Sequence, residues 1–277
     1  MTDSADLDLP GLLDAAGAVL DEVTGQFIDG LGSPGTHIKG RGDFATDVDL
    51  ALEERIGRLL EQRTGIEVHG EEFGGPAPET GAMWILDPID GTFNYSVGMP
   101  LAAMLLALTV DGHPVLGLTR LPLIGQSFAG HADGPLLVDG HAVGPVADSP
   151  LESAVIGYGA FNAKAGGRYP GAARADLQRV LSYRAGRLRM TGSNGTDVAY
   201  VAAGVFGGAV SFSAKPWDNA AGAALVLAAG GMATDVDGEP WTVQSASLVT
   251  GNRRLHGELL EIISGTLVTD KRRRVEK

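Results

Sequence analysis

Two aspartates stand three residues apart in WILDPIDGTFNY, residues 84–95, where an apolar run ends. Asp87 and Asp90 repel each other at that spacing, and carboxylates that close a buried-looking strand need a positive partner. Pro88 fixes its own φ and cannot donate to a strand ladder, so the chain turns rigidly between the two acids. Gly91 allows close backbone approach, and Thr92 opens a short helix. Paired carboxylates on such a turn, beside a helix N-terminus, suit a hard cation held against a phosphate. Taken alone, Asp90-Gly91 is equally readable as a hairpin turn.

Three further segments offer oxygen ligands. VHGEEFG (68–74) ends a short strand with Glu71 and Glu72. Neighbours on an extended chain point to opposite sides, so one carboxylate is expected at a site and the other in solvent. KPWDNAAGAALVLAAGG (215–231) reads as an apolar helix with Asp218 near its start, a position that capping and the helix dipole already favour. The helix is apolar on most sides, so this carboxylate is expected to point into protein and to need a partner there. DFATDVDLALEE (43–54) supplies Asp47 and Asp49, and Thr46 with Asp49 fits a capping box.

Other chemistries are excluded. The chain has no cysteine, which removes disulfides, thiolate metal sites and a thiol nucleophile. Its six histidines are dispersed without metal-ligand spacing and read as surface or turn residues. GYGAFN (157–162) lacks the third glycine of a dinucleotide fingerprint, no phosphate-loop motif occurs, and DVDGE (235–239) is a turn. A net charge of −13 argues against nucleic acid as a partner. The basic run KRRRVEK (271–277) reads as a frayed, solvated tail. An acidic protein that binds an anion needs cations at the site, and a bound metal supplies them.

The elements that must position these residues follow from periodicity. Residues 9–28 place Leu9, Leu12, Leu13, Ala16, Leu20, Val23 and Phe27 at helical spacing, with Pro10 suited to the first turn. A glycine-rich loop is expected at 32–43, then a second helix with Leu52, Ile56, Leu59 and Leu60 on one face, and short strands at 66–69 and 83–87. From 101 to 145, VDGHPV and LLVDGHAV signal hairpins. Beyond 150, strands at 154–158, 187–190, 208–212 and 247–250 alternate with helices at 172–183, 196–203 and 218–229, the pattern of a layered α/β unit. The expected division is a hairpin-rich half, 1–149, holding most of the acidic residues, and an alternating half, 150–277, holding Asp218. The 41 glycines follow no fixed period and imply many tight turns. The acidic N-terminus MTDSADLDLP is unlike a signal peptide, and the ten-residue apolar run 101–110 is too short for a membrane span. A cytoplasmic protein with no membrane partner is expected.

Together these segments resemble the inositol monophosphatase family of magnesium-dependent, lithium-sensitive phosphatases. WILDPIDGTFNY is similar to its Asp-Pro-Ile-Asp-Gly-Thr-x-Asn-Phe signature, with Tyr95 in place of Phe, and PWDNAAGAALVLAAGG to its Trp-Asp-x-Ala-Ala-Gly signature. GEE and FATDVD match the two smaller motifs, in the family's order. The resemblance implies an α/β/α/β/α sandwich, a homodimer and a site between the two halves. It implies that Glu71, Asp87, the Ile89 carbonyl, Asp90 and Asp218 hold two or three Mg²⁺ ions. Thr92 and Asp49 would orient and deprotonate the attacking water, while the amides of Gly91 and Thr92 would cradle the phosphate of a small polyol substrate. Inositol 1-phosphate leads among substrates, ahead of fructose 1,6-bisphosphate, histidinol phosphate and 3′-phosphoadenosine nucleotides. A non-catalytic sugar-phosphate binder is the other class, and a retained Thr92–Asp49 pair argues against it. Arg189 is retained among the substrate-selecting positions, but two depart. Ser211 stands where inositol-specific members carry a glutamate that binds ring hydroxyls, and Asn194 stands where they carry a small apolar residue. A relaxed preference among polyol phosphates is the expected result.

Overall fold

The structure is a computed structural model that describes residues 7–40 and 43–275, with side chains as far as Leu267. Helix α1 (Leu9–Asp29) starts where Asp8 accepts from the Gly11 amide, and it buries one face through Phe27. The stretch expected as a loop at 32–43 instead contains a small antiparallel pair, β1 (His37–Gly40) with β2 (Asp43–Ala45). Helix α2 (Asp47–Thr64) opens on the expected capping box of Thr46 and Asp49 and ends on Gly65 in the left-handed conformation.

A seven-stranded sheet follows, in the order β3 (Val68–Gly70), β4 (Ala82–Asp90), β5 (Ala103–Val110), β6 (His113–Leu121), β7 (Gln126–His131), β8 (Leu137–Val138) and β9 (His141–Ala142). Only β3 and β4 run parallel; the other neighbours are antiparallel. The two expected Asp-Gly turns are present. Asp111 and Asp139 have φ of 48° and 51°, followed by Gly112 and Gly140 at 78° and 77°, the conformation that two-residue hairpins need. Between β4 and β5 lies one short helix, α3 (Thr92–Ser96).

The second sheet has the order β11-β10-β12-β14-β13, built from β10 (Val155–Tyr158), β11 (Arg187–Arg189), β12 (Gly208–Ser211), β13 (Met232–Thr234) and β14 (Leu248–Gly251). Its helices are α4 (Gly171–Arg184), α5 (Asn194–Ala202), α6 (Pro216–Ala228) and α7 (Arg253–Val275). The backbone of the basic run is thus helical through Val275 where a frayed tail was expected; its last two residues lie outside the described residues.

Strand alternation sorts the apolar side chains into layers. Met83, Ile85, Ala103, Leu105 and Ala107 face one way, against α5 and α6. Trp84, Leu86, Met104, Leu106 and Leu108 face the other way, against α1 and α2. In the second sheet Ala209 and Leu248 meet the same α5–α6 layer, while Val210 and Val249 meet α4 and α7. The result is the expected α/β/α/β/α sandwich, with one helical layer shared by both sheets. No helix among the described residues is long and apolar enough to cross a membrane.

Candidate active site

Four of the predicted carboxylates line one cavity of about 380 Å³: Glu71, Asp87, Asp90 and Asp218, with Ile89, Gly91 and Thr92 in the same wall. The backbone explains the convergence. The parallel register that pairs Gly70 with Leu86 carries Glu71 to a place beside Asp87, and the Glu71 amide donates to the Leu86 carbonyl at 3.1 Å. Pro88 interrupts the ladder as expected, yet β4 resumes pairing at Asp90. Asp87 faces Leu105 and Asp90 faces Ala103, so three steps on β4 match two on β5. This bulge matters because residues three apart on a regular strand point to opposite faces. The extra residue brings Asp87 and Asp90 to the same side. Asp218 arrives from the first turn of α6, behind Pro216.

Asp90 is held from the second half of the chain. Its Oδ2 accepts from Ser193 Oγ at 2.6 Å and from the Gly195 amide at 2.7 Å, and its Oδ1 accepts from the Asn194 amide at 3.2 Å. These amides open α5, so unpaired N–H groups of a helix start hold the carboxylate. Asp87 is 2% exposed and accepts from the Ile89 amide at 3.0 Å. Burial pushes its carboxyl well above the usual range, and Glu71, Asp90 and Asp218 add repulsion. Burial likewise raises Asp90 to about 6 and Asp218 to about 7.

Thr92 and Asp49 meet as expected. Thr92 Oγ1 lies 3.3 Å from Asp49 Oδ1 and 2.9 Å from the Ile89 carbonyl. Asp49 serves two purposes, since its Oδ2 also accepts from the Thr46 amide at 2.8 Å and from Thr46 Oγ1 at 2.5 Å. It is 1% exposed, and burial raises its pKa. Asp47, by contrast, is exposed and bonds Thr36 and His37.

The expectation for Glu71 and Glu72 is corrected. Neither turns to solvent: Lys39 Nζ donates to both at 2.7 Å, and the Glu72 side chain is the more buried of the two, 3% exposed against 20%. Glu53 explains the turn. Its carboxylate accepts the amides of Glu72 and Phe73, both at 2.8 Å, and folds the segment under itself. One histidine also departs from the surface reading, because His256 is buried against Thr234.

A second cavity, of about 310 Å³, adjoins the first through Asp90, Ala160, Gly192 and Asp218. Ser211 and Asn194 line it. Ser211 Oγ accepts from the Ser213 amide at 3.2 Å. The Asn194 side-chain amide is occupied, donating to the Asp218 carbonyl at 2.7 Å and to Asn219 Oδ1 at 2.9 Å. Arg189 lines neither cavity. It is exposed on β11, an edge strand, and among the described residues its side chain donates only to the Leu188 carbonyl.

The family model described as Inositol monophosphatase family matches residues 10–266. The chain belongs to that family. It is 48% identical over 252 residues to the probable inositol 1-monophosphatase ImpA of Mycobacterium tuberculosis, covering 91% of this chain and 93% of that one. It is 46% identical over 269 residues to the inositol-1-monophosphatase ImpA of Mycolicibacterium smegmatis, covering 96% and 98%. An IMPase of Thermotoga maritima has the same fold, with a TM-score of 0.83 at 24% identity over 93% of this chain and 98% of that one.

As a member of the inositol monophosphatase family, the chain is a phosphatase whose site contains residues that sequence reasoning missed. Lys39 and Ser193 are two. Ser193 was signalled by its place before an apolar-periodic helix, where a hydroxyl caps the first turn; it accepts from the Thr196 amide. Lys215 and Trp217 also line the first cavity, with the ammonium 4.8 Å from the ring centroid. Among the described residues no three acidic, histidine or cysteine side chains close into a ready-made metal cluster. The carboxylates ring the cavity instead, with Glu71, Asp87 and Asp90 each engaged by a donor from the protein.

Proposed function

We propose that this phosphatase is a Mg²⁺-dependent phosphate-monoester hydrolase with inositol 1-phosphate as its leading substrate. The observation that carries the reading is the convergence of Glu71, Asp87, Asp90 and Asp218 on one cavity, with the Thr92–Asp49 pair in its wall. The donor set fits Mg²⁺: every group is a hard oxygen, and several partly buried carboxylates that raise one another's pKa need a cation to remain charged together. Glu71, Asp87, the Ile89 carbonyl, Asp90 and Asp218 would hold it. Bound Mg²⁺ would supply Lewis-acid stabilisation of phosphoryl and leaving oxygens and a lowered pKa for water.

The chain's own residues do the rest. Thr92 Oγ1 is oriented between two acceptors, so it can take a hydrogen bond from an attacking water while donating to Asp49. Asp49, its basicity raised by burial, is the terminal acceptor of that proton. Gly91 and Thr92 open α3 at the cavity wall, where their amides suit a phosphate. Lys215 adds a cation there. Ser211 gives the polyol a hydroxyl in place of a carboxylate, which supports activity on several polyol phosphates.

The test is phosphate release from inositol 1-phosphate, with Mg²⁺ and after exhaustive chelation by EDTA. Release that is lost on chelation and restored by Mg²⁺ is the expected result. Full activity in the chelated protein would overturn the metal-dependent reading.

A further inference from the structure

Asn194 touches two of the acidic residues that line the first cavity. Its main-chain amide donates to Asp90 Oδ1 at 3.2 Å, and its side-chain Nδ2 donates to the main-chain carbonyl of Asp218 at 2.7 Å. The same Nδ2 donates to Asn219 Oδ1 at 2.9 Å. Asn219 is fully buried, and its own Nδ2 donates to the Ser213 carbonyl at 3.0 Å and reaches the Lys215 carbonyl at 3.4 Å. Main-chain carbonyls cannot donate, so both amide groups have one workable orientation: each nitrogen faces a carbonyl, and the Asn219 oxygen faces Asn194. Two side-chain amides thus run in series from the start of α5 to the segment that leads into α6. The proposed hydrolysis gives neither of them a task. Asn194 lines the second cavity, yet both hydrogens of its side-chain amide are spent inside the protein, so they are not available to a substrate.

We infer that Asn194, acting with Asn219, is a positioning residue that fixes Asp218 against Asp90 and so sets the affinity for Mg²⁺, not the choice of substrate. The inference rests on the metal-dependent reading and deepens it. Asp90 comes from β4 and Asp218 from α6, and a single residue at the head of α5 bonds both. Asp218 stands in the first turn of its helix, where amides lack helical partners and the backbone is held by fewer bonds than in the interior. The Asn194 amide supplies a tie there, and Asn219 carries it on to Ser213 and Lys215. Neighbours that orient a ligating carboxylate tune the affinity of the metal it holds. Both amides are particular to this chain's version of the motifs: Asn194 replaces a small apolar residue, and Asn219 fills the variable position of the Trp-Asp-x-Ala-Ala-Gly signature.

The experiment measures Mg²⁺ binding by isothermal titration calorimetry, without substrate, for the wild type, Asn194→Ala and Asn194→Ala/Asn219→Leu. The double variant replaces both side-chain amides with apolar groups, so the Asn219 oxygen is not left buried and unpaired, and it decides the matter if the single variant does not fold. The expected result is a Kd for Mg²⁺ that rises roughly three- to tenfold in both variants, with the half-saturating Mg²⁺ for phosphate release rising alongside. At saturating Mg²⁺ the ratio of kcat/KM for inositol 1-phosphate over glycerol 2-phosphate should stay at the wild-type value. A role in stability alone would lower the Tm of the EDTA-treated protein and leave the Kd where it was. An unchanged Kd in the double variant, or a shifted substrate ratio at unchanged Kd, would overturn this inference alone. A wild type that binds no Mg²⁺ and keeps full activity after chelation would overturn the metal-dependent reading, and this inference with it.

Discussion

Thr92 has one hydroxyl and two acceptors, and its replacement tests the proton path directly. Thr92→Ala leaves Glu71, Asp87, Asp90 and Asp218 in place. It should lower kcat and kcat/KM together by roughly 10²- to 10⁴-fold in steady-state assays, as expected for an interaction made in the transition state. A rise in KM alone would remove Thr92 from the reaction. Asp197 gives a second prediction at this scale. Its carboxyl is buried, bonded to Thr191 Oγ1 at 2.9 Å and raised to about 8. The folded state therefore holds a proton that the unfolded state releases near pH 4. The stability contributed by Asp197 is complete below pH 4 and falls as pH rises to about 8. Asp197→Asn mimics the protonated form. Its gain in unfolding free energy over the wild type, measured by urea unfolding at a series of pH values, should grow across that window and level off above it, reaching at least about 1.4 kcal/mol, the equivalent of one pKa unit. The acidic pair Asp87 and Asp90 was legible in the sequence because its residue types are unusual at a strand end. Their common orientation was not legible, because a bulge is a property of two strands and only one of them carries the motif.

At the scale of elements, Asp218 is only as well placed as the helix beneath it. Helix α6 lies against β6 at Gly117, where an added Cβ would come within 2.4 Å of the Ala221 carbonyl. That atom is backbone and cannot rotate away. Gly117→Ala should destabilise the protein by about 1–3 kcal/mol in urea unfolding, the usual cost of overpacking. It should also lower kcat by displacing Asp218, although Gly117 lines neither of the two cavities described above. The elements that the sequence made legible are those with a local cause: Asp-Gly turns, the capping box, and apolar helical stripes. Those it hid depend on distant partners. The pairing of β1 with β2 recruits a strand, β1, that is exposed throughout and has no apolar pattern, and Lys39 on β1 finds Glu71 and Glu72 more than thirty residues away. The inward fold of Glu72 is set by Glu53, a residue of α2 that reads in sequence as an ordinary surface acid.

At the scale of the whole molecule, the strands declare the layers through their alternation, while the sharing of one helical layer by two sheets emerges only in three dimensions. The stretch between the sheets, residues 143–154, contains exposed positions such as Ala147 and Asp148. The core it connects does not divide there. Ile85 and Leu105 come from one side of that stretch, and Val198, Leu225 and Leu248 from the other, yet all are buried in a single cluster. Asp90 is likewise bonded by Ser193, Asn194 and Gly195 from across the same boundary. A chain cut between Ala147 and Asp148 should therefore behave as a pair of complementary fragments. Each alone exposes an apolar sheet face or helix layer and should aggregate without activity. Produced together, they should reassociate into a single sedimenting species with phosphatase activity restored, since the burial that joins them is the interior of the protein itself.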